Sequence, residues 1–208
     1  MMDIDVELQK RHTISIQGEM TKKTLNEATR QLAELEMTPE CERIDLLISS
    51  GGGDTRAGFG IADFIRHMVS KPVRGIAFDT CGSSAVVVML ACKERLALPY
   101  TRFLVHSCTQ AVERINPFSL EYKKNLEEIQ EELSRVHDRW LNYHVEHLTP
   151  SDWDTTTSRR EKEEFVLREF IRGDSRFEGL LTAEEALEVG IISRIVASDE
   201  KLDTLSLK

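Results

Sequence analysis

A glycine turn is the first segment that could take part in chemistry. Gly51-Gly52-Gly53 follows a short apolar run at 44–48, which predicts a buried strand entering a tight turn. Glycines at such a place let backbone N–H groups approach a substrate or a phosphate closely. The turn matches neither G-x-G-x-x-G nor the Walker pattern, so nucleotide binding is not indicated. A strand-to-helix turn without a chemical role is an equally good interpretation.

Ser83 stands where a predicted strand enters a strongly apolar helix, in the sequence Cys81-Gly82-Ser83-Ser84-Ala85. A serine there is usually a cap, because its hydroxyl accepts a hydrogen bond from an N–H group of the first helical turn. The alternative is a nucleophile whose oxyanion is held by amides of the helix N-terminus. Cys81 and Ala85 replace the glycines of a G-x-S-x-G elbow, so both interpretations stay open.

Histidines supply the remaining candidate groups. His106 ends a short predicted strand and could be a general base or a structural residue. His144 and His147 lie three residues apart on a predicted helix, a spacing that two metal ligands can share. No third ligand accompanies them, and no cysteine pair has the C-x-x-C spacing. Neither a metal nor another cofactor is therefore predicted.

Alternating strands and helices must position these residues. This alternation is typical of a parallel sheet with crossover helices, so the first 106 residues predict an α/β core. The predicted strands are 13–17, 44–48, 73–78, 96–98 and 102–106, and the predicted helices are 21–36, 55–68 and 83–94.

A long amphipathic helix is predicted after this core, over about 118–147. Apolar residues recur there every three or four positions from Leu126 through Trp140 to Tyr143. An exposed apolar stripe of that length needs a partner face, which favours a homo-oligomer.

A short closing unit is predicted near the C-terminal end. Thr182 and Glu185 form a capping-box pattern and Gly190 is a natural helix stop, so a helix over 182–189 is expected. Residues 191–196 predict a final strand. The whole chain, 1–208, is expected to be one domain, with a core at about 12–106 and 178–196 and a helical handle at about 107–147.

The composition is that of a soluble globular protein: 208 residues, 40% hydrophobic, with a net charge of −9. The acidic balance argues against nucleic-acid binding, and no apolar run approaches the roughly 20 residues of a membrane span. Since the chain begins without a secretory signal pattern, a cytoplasmic location is expected. Its four cysteines (Cys41, Cys81, Cys92 and Cys108) are expected to be reduced thiols that pack in the interior.

Four segments stand in an order that one protein family shares. ISSGGGDTRAG, beginning at Ile48, resembles I-N-S-P-G-G-x-x-T-A-G, and 73–84 resembles a strand that ends G-x-A-A-S-M-G. RLALPYTRFLVH, ending at His106, resembles R-F-A-L-P-N-S-R-x-M-I-H, and LTAEEALEVGII resembles F-L-S-A-E-E-A-x-E-Y-G-L-I-D. The chain is thus similar to the proteolytic subunit of the caseinolytic (Clp) serine protease over roughly 12–196.

The resemblance implies roles for particular residues. Ser83 falls on the nucleophile and His106 on the general base, while the N–H groups of Ser84 and Gly53 fall on the oxyanion-hole donors. A carboxylate should orient the histidine, and Glu178 matches that position most closely. Because 149–178 is longer than in the family, the alternatives there are Asp174 and Asp154.

The resemblance also implies a fold and partners. It implies an α/β spiral of the Clp-crotonase type, built from ββα units, with a protruding handle helix. The implied activity is that of a serine endopeptidase that cleaves peptides or unfolded proteins inside a homo-oligomer of one or two rings. Ala111-Val112-Glu113-Arg114-Ile115 is expected to be a strand that pairs with the substrate. The resemblance also implies an N-terminal hairpin before the first strand, which contacts a Clp-type ATPase. Only about ten residues precede Thr13, so the hairpin is expected to be absent or shortened, which argues against such a partner without excluding one.

Departures from the family pattern favour one of two alternative functions. Gly51 replaces the usual proline of the turn, Asp79 replaces a glycine, and a glutamate stands at the carboxylate position. These changes are expected in a catalytically silent ring subunit that works with an active partner. An acyl-CoA enzyme of the related crotonase group is the third hypothesis, although the Ser83 and His106 pair argues against it.

Overall fold

Six strands and six helices make up the part of the chain that the computed structural model describes, which is residue 8 and residues 10–106, 120–170 and 180–202. The strands are β1 (Thr13–Met20), β2 (Ile44–Gly53), β3 (Val73–Gly82), β4 (Glu94–Ala97), β5 (Arg102–Leu104) and β6 (Arg194–Ile195). The helices are α1 (Lys22–Glu36), α2 (Thr55–Met68), α3 (Ser84–Ala91), α4 (Leu120–His147), α5 (Arg159–Phe170) and α6 (Ala183–Glu188).

All the strands belong to one parallel sheet. Its order is β1-β2-β3-β4-β6, and β5 pairs with the last three residues of β3. Side chains from the inner strands, among them Leu46, Ile48 and Ile76, are almost completely buried. Parallel strands with crossover helices bury both faces of a sheet, which explains these nearly continuous apolar runs. The parallel arrangement also brings the C-terminal ends of β2, β3 and β5 to the same edge.

Local signals fix the ends of the helices between these strands. Thr21 caps α1 and exchanges hydrogen bonds with Thr24, and Asp54 caps α2 by accepting from the Arg56 N–H. Helix α2 has the predicted bounds, and α1 begins one residue later than predicted. Short polar side chains satisfy N–H groups that the first turn leaves without partners.

Several predicted boundaries are wrong. The second and third strands continue to Gly53 and Gly82, so the glycine turn and Cys81 lie inside strands. The fourth strand is 94–97 and not 96–98, and the final strand is limited to Arg194–Ile195. The predicted strand at 111–115 lies outside the described residues.

Helix α5 was not predicted, although a local signal marks its start. Its charged sequence carries only a few apolar residues, and Phe165, Val166 and Phe170 are buried. The Ser158 N–H donates to Glu161 Oε2 over 2.7 Å, and the Glu161 N–H donates back to Ser158 Oγ over 3.3 Å. This is a capping box of the S-x-x-E type, which identifies a helix start better than the weak apolar pattern does.

The described residues form two compact units. The first contains the sheet, helices α1, α2, α3 and α6, and the segment His147–Thr156. The second contains His106, helix α4 up to Glu146, and α5. The division into one core and one handle within a single domain stays a prediction. Among the described residues, no helix is both long and apolar enough to cross a bilayer.

The predicted handle helix is present as α4, but part of its expected apolar stripe is not available to a partner. Trp140 and Tyr143 are only 3% and 8% exposed within the single chain. The Trp140 ring lies on the ring of His144, with 4.0 Å between centroids. In the same unit, the Arg159 guanidinium of α5 donates to the Asn142 side chain of α4. At these two positions the apolar side chains of the amphipathic pattern are therefore already buried within the single chain.

Candidate active site

Ser83 has a strained backbone at the junction of β3 and α3. Its φ of 53° and ψ of −122° lie in a region that residues with a Cβ rarely adopt. The Ser83 N–H donates to the Leu104 carbonyl of β5 over 2.7 Å, and the Ser83 carbonyl accepts from the Val86 N–H over 3.0 Å. Strain of this kind costs about 1–3 kcal/mol and is concentrated at functional sites.

The Ser83 side chain does not act as a helix cap. A capping serine has an extended backbone and accepts a hydrogen bond from the first helical turn. Ser83 has neither feature, since its φ is positive and its hydroxyl makes no capping hydrogen bond. The interpretation of this side chain as a cap is therefore wrong, and Ser83 is half-buried.

Gly52 brings the end of β2 against this turn. A Cβ at position 52 would lie 2.6 Å from Ser83 Cβ, 2.8 Å from the Gly82 carbonyl oxygen and 3.1 Å from Ser84 N. Real Cβ atoms do not approach other atoms so closely, and the φ of 102° at Gly52 also favours glycine. Gly52 is therefore packed directly against Ser83 and Ser84.

The backbone amides of this turn have different surroundings. The Gly52 N–H already donates to the buried Ser50 hydroxyl over 3.1 Å. Gly53 lies in register with Met20 of β1 and has a φ of 142°. Ser84 is the first residue of α3, where the helix itself offers no acceptor for the N–H group. Gly53 and Ser84 thus stay the predicted oxyanion donors.

Replacing Gly52 by alanine should reduce peptide hydrolysis at least about 100-fold, because the new methyl group would push the β2 end away from Ser83. Hydrolysis of a fluorogenic peptide and thermal unfolding would be measured together. Gly18→Ala is the matched control, since Gly18 also has a positive φ but no atom within 4 Å of an added Cβ. Equal losses of activity in both variants would contradict the packing argument.

His106 comes two residues after β5, the strand that pairs with the end of β3. Leu104 of β5 pairs with Gly82 of β3. Ser83 is one residue after Gly82, and His106 is two residues after Leu104. The predicted strand 102–106 ends at Leu104, and His106 itself is half-buried.

Three carboxylates were predicted as candidates for the third catalytic residue, and the structure describes only one of them. Glu178 and Asp174 lie outside the described residues. Asp154 is exposed, and its Oδ1 accepts 2.7 Å hydrogen bonds from the Thr156 N–H and hydroxyl. This local turn gives Asp154 a structural role of its own.

The segment that begins at Leu181 pairs with β5. Phe103 and Leu181 exchange two backbone hydrogen bonds of 2.9 and 2.8 Å. The Thr182 hydroxyl accepts from the Glu185 N–H, and the Glu185 carboxylate accepts from the Thr182 N–H, so the predicted capping box is present. The chain three residues after Glu178 is therefore fixed beside the strand that leads to His106.

The buried thiols show no sign of reactivity. Cys41, Cys81 and Cys92 are free, and Cys108 lies outside the described residues. Burial raises the pKa of the Cys92 thiol to about 12 and raises that of Cys81 as well, so both thiols stay protonated at neutral pH. A protonated thiol is a poor nucleophile. In the described part of the chain, no three His, Cys, Asp or Glu side chains are grouped so as to hold a metal ion.

Two features next to Ser83 were missed in the sequence. The first is Ser50, whose hydroxyl accepts a hydrogen bond from the Gly52 N–H. The available sequence signal was a pair of serines directly before three glycines. The Ser84 hydroxyl is buried, without a hydrogen-bond partner among the described residues. No sequence pattern reveals such an unsatisfied group, because it depends on tertiary packing.

Comparison with known proteins gives consistent relatives. A family model described as Clp protease matches residues 1–199. The chain is 26% identical over 184 residues to the ATP-dependent Clp protease proteolytic subunit 2 of Treponema denticola, covering 88% of this chain and 80% of that protein. A protein of the same description from Pseudomonas aeruginosa is 25% identical over 190 residues, covering 91% and 83%.

A solved structure has the same fold. A ClpP1 mutant from Listeria monocytogenes superposes with a TM-score of 0.71 and 22% identity, covering 98% of this chain and 100% of that chain. This likeness confirms the predicted α/β fold of the Clp-crotonase type.

Proposed function

Since this chain belongs to the Clp protease family, we propose that it is a serine endopeptidase in which Ser83 is the nucleophile. The observation that carries this proposal is the strained backbone of Ser83, whose hydroxyl is not used as a helix cap. A silent subunit would gain stability by relaxing this conformation, so its presence favours an active enzyme.

The proposed reaction is acyl transfer to serine. Ser83 Oγ attacks the peptide carbonyl carbon while His106 takes the hydroxyl proton. The carbonyl oxygen becomes an oxyanion, which the N–H groups of Gly53 and Ser84 stabilise. The C–N bond then breaks and His106 returns the proton to the leaving amine. Water then attacks the carbonyl carbon of the acyl-enzyme while His106 takes a proton from the water. The ester C–O bond breaks and His106 returns the proton to Ser83 Oγ, which regenerates the hydroxyl.

Packing around Ser83 supports these roles. The close approach of Gly52 fixes the β2 end against the nucleophile turn, and the hydrogen bond from the Ser83 N–H fixes β5 against it. Pre-positioned donors need no reorganisation during the reaction, and losing one typically costs about 10²–10³-fold in rate.

Glu178 is the proposed partner that orients His106. We expect Glu178→Gln to slow hydrolysis about 10²–10⁴-fold without unfolding the protein, because an amide cannot stabilise the imidazolium equally well. Asp174→Asn and Asp154→Asn are the matched controls and should have mild effects on the rate. A large loss in Asp174→Asn alone would transfer the role to that residue, and three mild effects would indicate a Ser83–His106 dyad.

The proposed substrates are peptides or unfolded proteins cleaved inside a homo-oligomeric ring. The relatives named above are described as proteolytic subunits, which supports an assembly of several chains. Their description as ATP-dependent makes a Clp-type ATPase a candidate partner. The cytoplasmic location stays a prediction.

Labelling with a fluorophosphonate tests the proposal most directly. An active serine hydrolase forms a covalent phosphonyl adduct, which mass spectrometry of tryptic peptides would locate on Ser83. A silent ring subunit and an acyl-CoA enzyme of the crotonase group both predict no adduct there. An adduct on Ser84 would show that the assignment is displaced by one residue.

A further inference from the structure

An acidic side chain lies next to the glycine turn, on the side away from β3. Glu19 is in β1, where Glu19 is level with Gly52 and Met20 with Gly53. A Cβ at position 53 would lie 2.9 Å from Glu19 Cγ. The carboxylate carbon of Glu19, Cδ, is one bond beyond this Cγ, so the carboxylate lies within a few ångströms of the turn that supplies the proposed oxyanion donor.

The Glu19 carboxylate is accessible to solvent. Its side chain is exposed, and within the described residues its carboxylate makes no hydrogen bond or ion pair. The carboxylate on the other side of β2 differs in this respect, because Asp79 accepts a 3.3 Å hydrogen bond from the Ser49 hydroxyl. Glu19 therefore presents an unpaired negative charge at the edge of the sheet where Ser83 lies.

From this placement we propose that Glu19 is a specificity-determining residue that favours substrates with a positive charge, a lysine or arginine side chain, close to the scissile bond. The inference rests on the proposed function of Ser83. A carboxylate beside the glycine turn would attract a cation on a bound substrate and, being exposed, would do so in a way that salt screens. The same charge opposes the oxyanion formed on any substrate, so its removal should not slow cleavage of a neutral peptide.

Matched peptides would test the inference. Quenched fluorescent peptides would carry a single lysine at successive positions around one cleaved bond, each compared with a peptide that has glutamine at that position. For the best-placed lysine we expect kcat/KM to exceed that of the glutamine peptide about 3–10-fold at low salt. In Glu19→Gln the ratio should fall to about 1, while the glutamine peptide is cleaved at least as fast as before.

Two further variants sharpen the result. Glu40→Gln removes the same charge beyond the opposite end of β2 and should leave the ratio unchanged. Glu19→Lys should reverse the preference, so that a peptide with glutamate at that position is cleaved faster than its glutamine counterpart. Molar salt should abolish the preference of the wild-type protein.

The outcomes separate this inference from the proposed function. A wild-type protein that labels at Ser83 and cleaves both peptides equally at every position overturns the role of Glu19 alone. An unchanged lysine preference in Glu19→Gln does the same. A wild-type protein that neither labels nor cleaves any peptide overturns the proposed function, and the role of Glu19 with it.

Discussion

Ser83→Ala should abolish peptide hydrolysis, lowering kcat by about 10⁴–10⁶-fold, while the chain still folds and assembles. Removing the nucleophile of a serine protease leaves only the contribution of the oxyanion hole and of substrate binding. The hydroxyl of Ser83 makes no helix-capping hydrogen bond, so its loss should not disturb α3. The rate of hydrolysis of a fluorogenic peptide and the sedimentation coefficient of the assembly would be measured on the same preparation.

Ser84→Ala is the control, because only the backbone N–H of Ser84 is proposed to act. Its buried hydroxyl has no partner among the described residues, so the variant should be fully active and at least as stable as the wild type. A third variant isolates the strain: Ser83→Gly should be as inactive as Ser83→Ala but about 1 kcal/mol more stable, since glycine adopts a positive φ freely. An active Ser83→Ala would refute the assignment.

The second large effect is expected for His106→Ala, which should slow hydrolysis by at least about 10³-fold. Without a base, Ser83 Oγ must attack while it still holds its proton. The rate of phosphonylation of Ser83 by a fluorophosphonate should fall in parallel, and added imidazole should restore part of it. His67→Ala, at an exposed position in the last turn of α2, should leave both rates unchanged. Loss of hydrolysis with undiminished labelling would mean that His106 does not activate the serine.

Elements defined by local signals were predicted well from the sequence. Helix α2 was placed correctly because its N-cap and its stop are both encoded within a few residues, and the capping box of Thr182 and Glu185 was recognised for the same reason. The ends of β2 and β3 were missed because Gly51, Gly52 and Gly82 have no strand propensity of their own. Gly52 and Gly82 belong to strands because residues of neighbouring strands pair with them.

The candidate site was likewise predicted only in those features that residue type and order encode. Residue types and their order pointed to Ser83 and His106, but the exclusion of a capping role for the Ser83 side chain depended on a backbone torsion that no residue type encodes. The close approach of Gly52 and the position of Glu19 were also not predictable, because both depend on how three strands are aligned. The three carboxylates considered for the third position, Glu178, Asp174 and Asp154, belong to the stretch whose length differs from the family, so spacing alone did not choose between them.

Hydrogen bonds between residues far apart in the sequence determine how late the fold can be completed during synthesis. The Arg95 N–H donates to the Ser193 hydroxyl, 98 residues away, and Leu181 holds the strand that precedes His106. A ribosome delivers Ser83 and His106 long before either of these contacts can form, and closing so long a loop is entropically slow. A nascent chain would therefore carry the proposed nucleophile and base before these contacts exist. Late formation of the contacts would keep the proposed protease inactive until its synthesis is nearly complete.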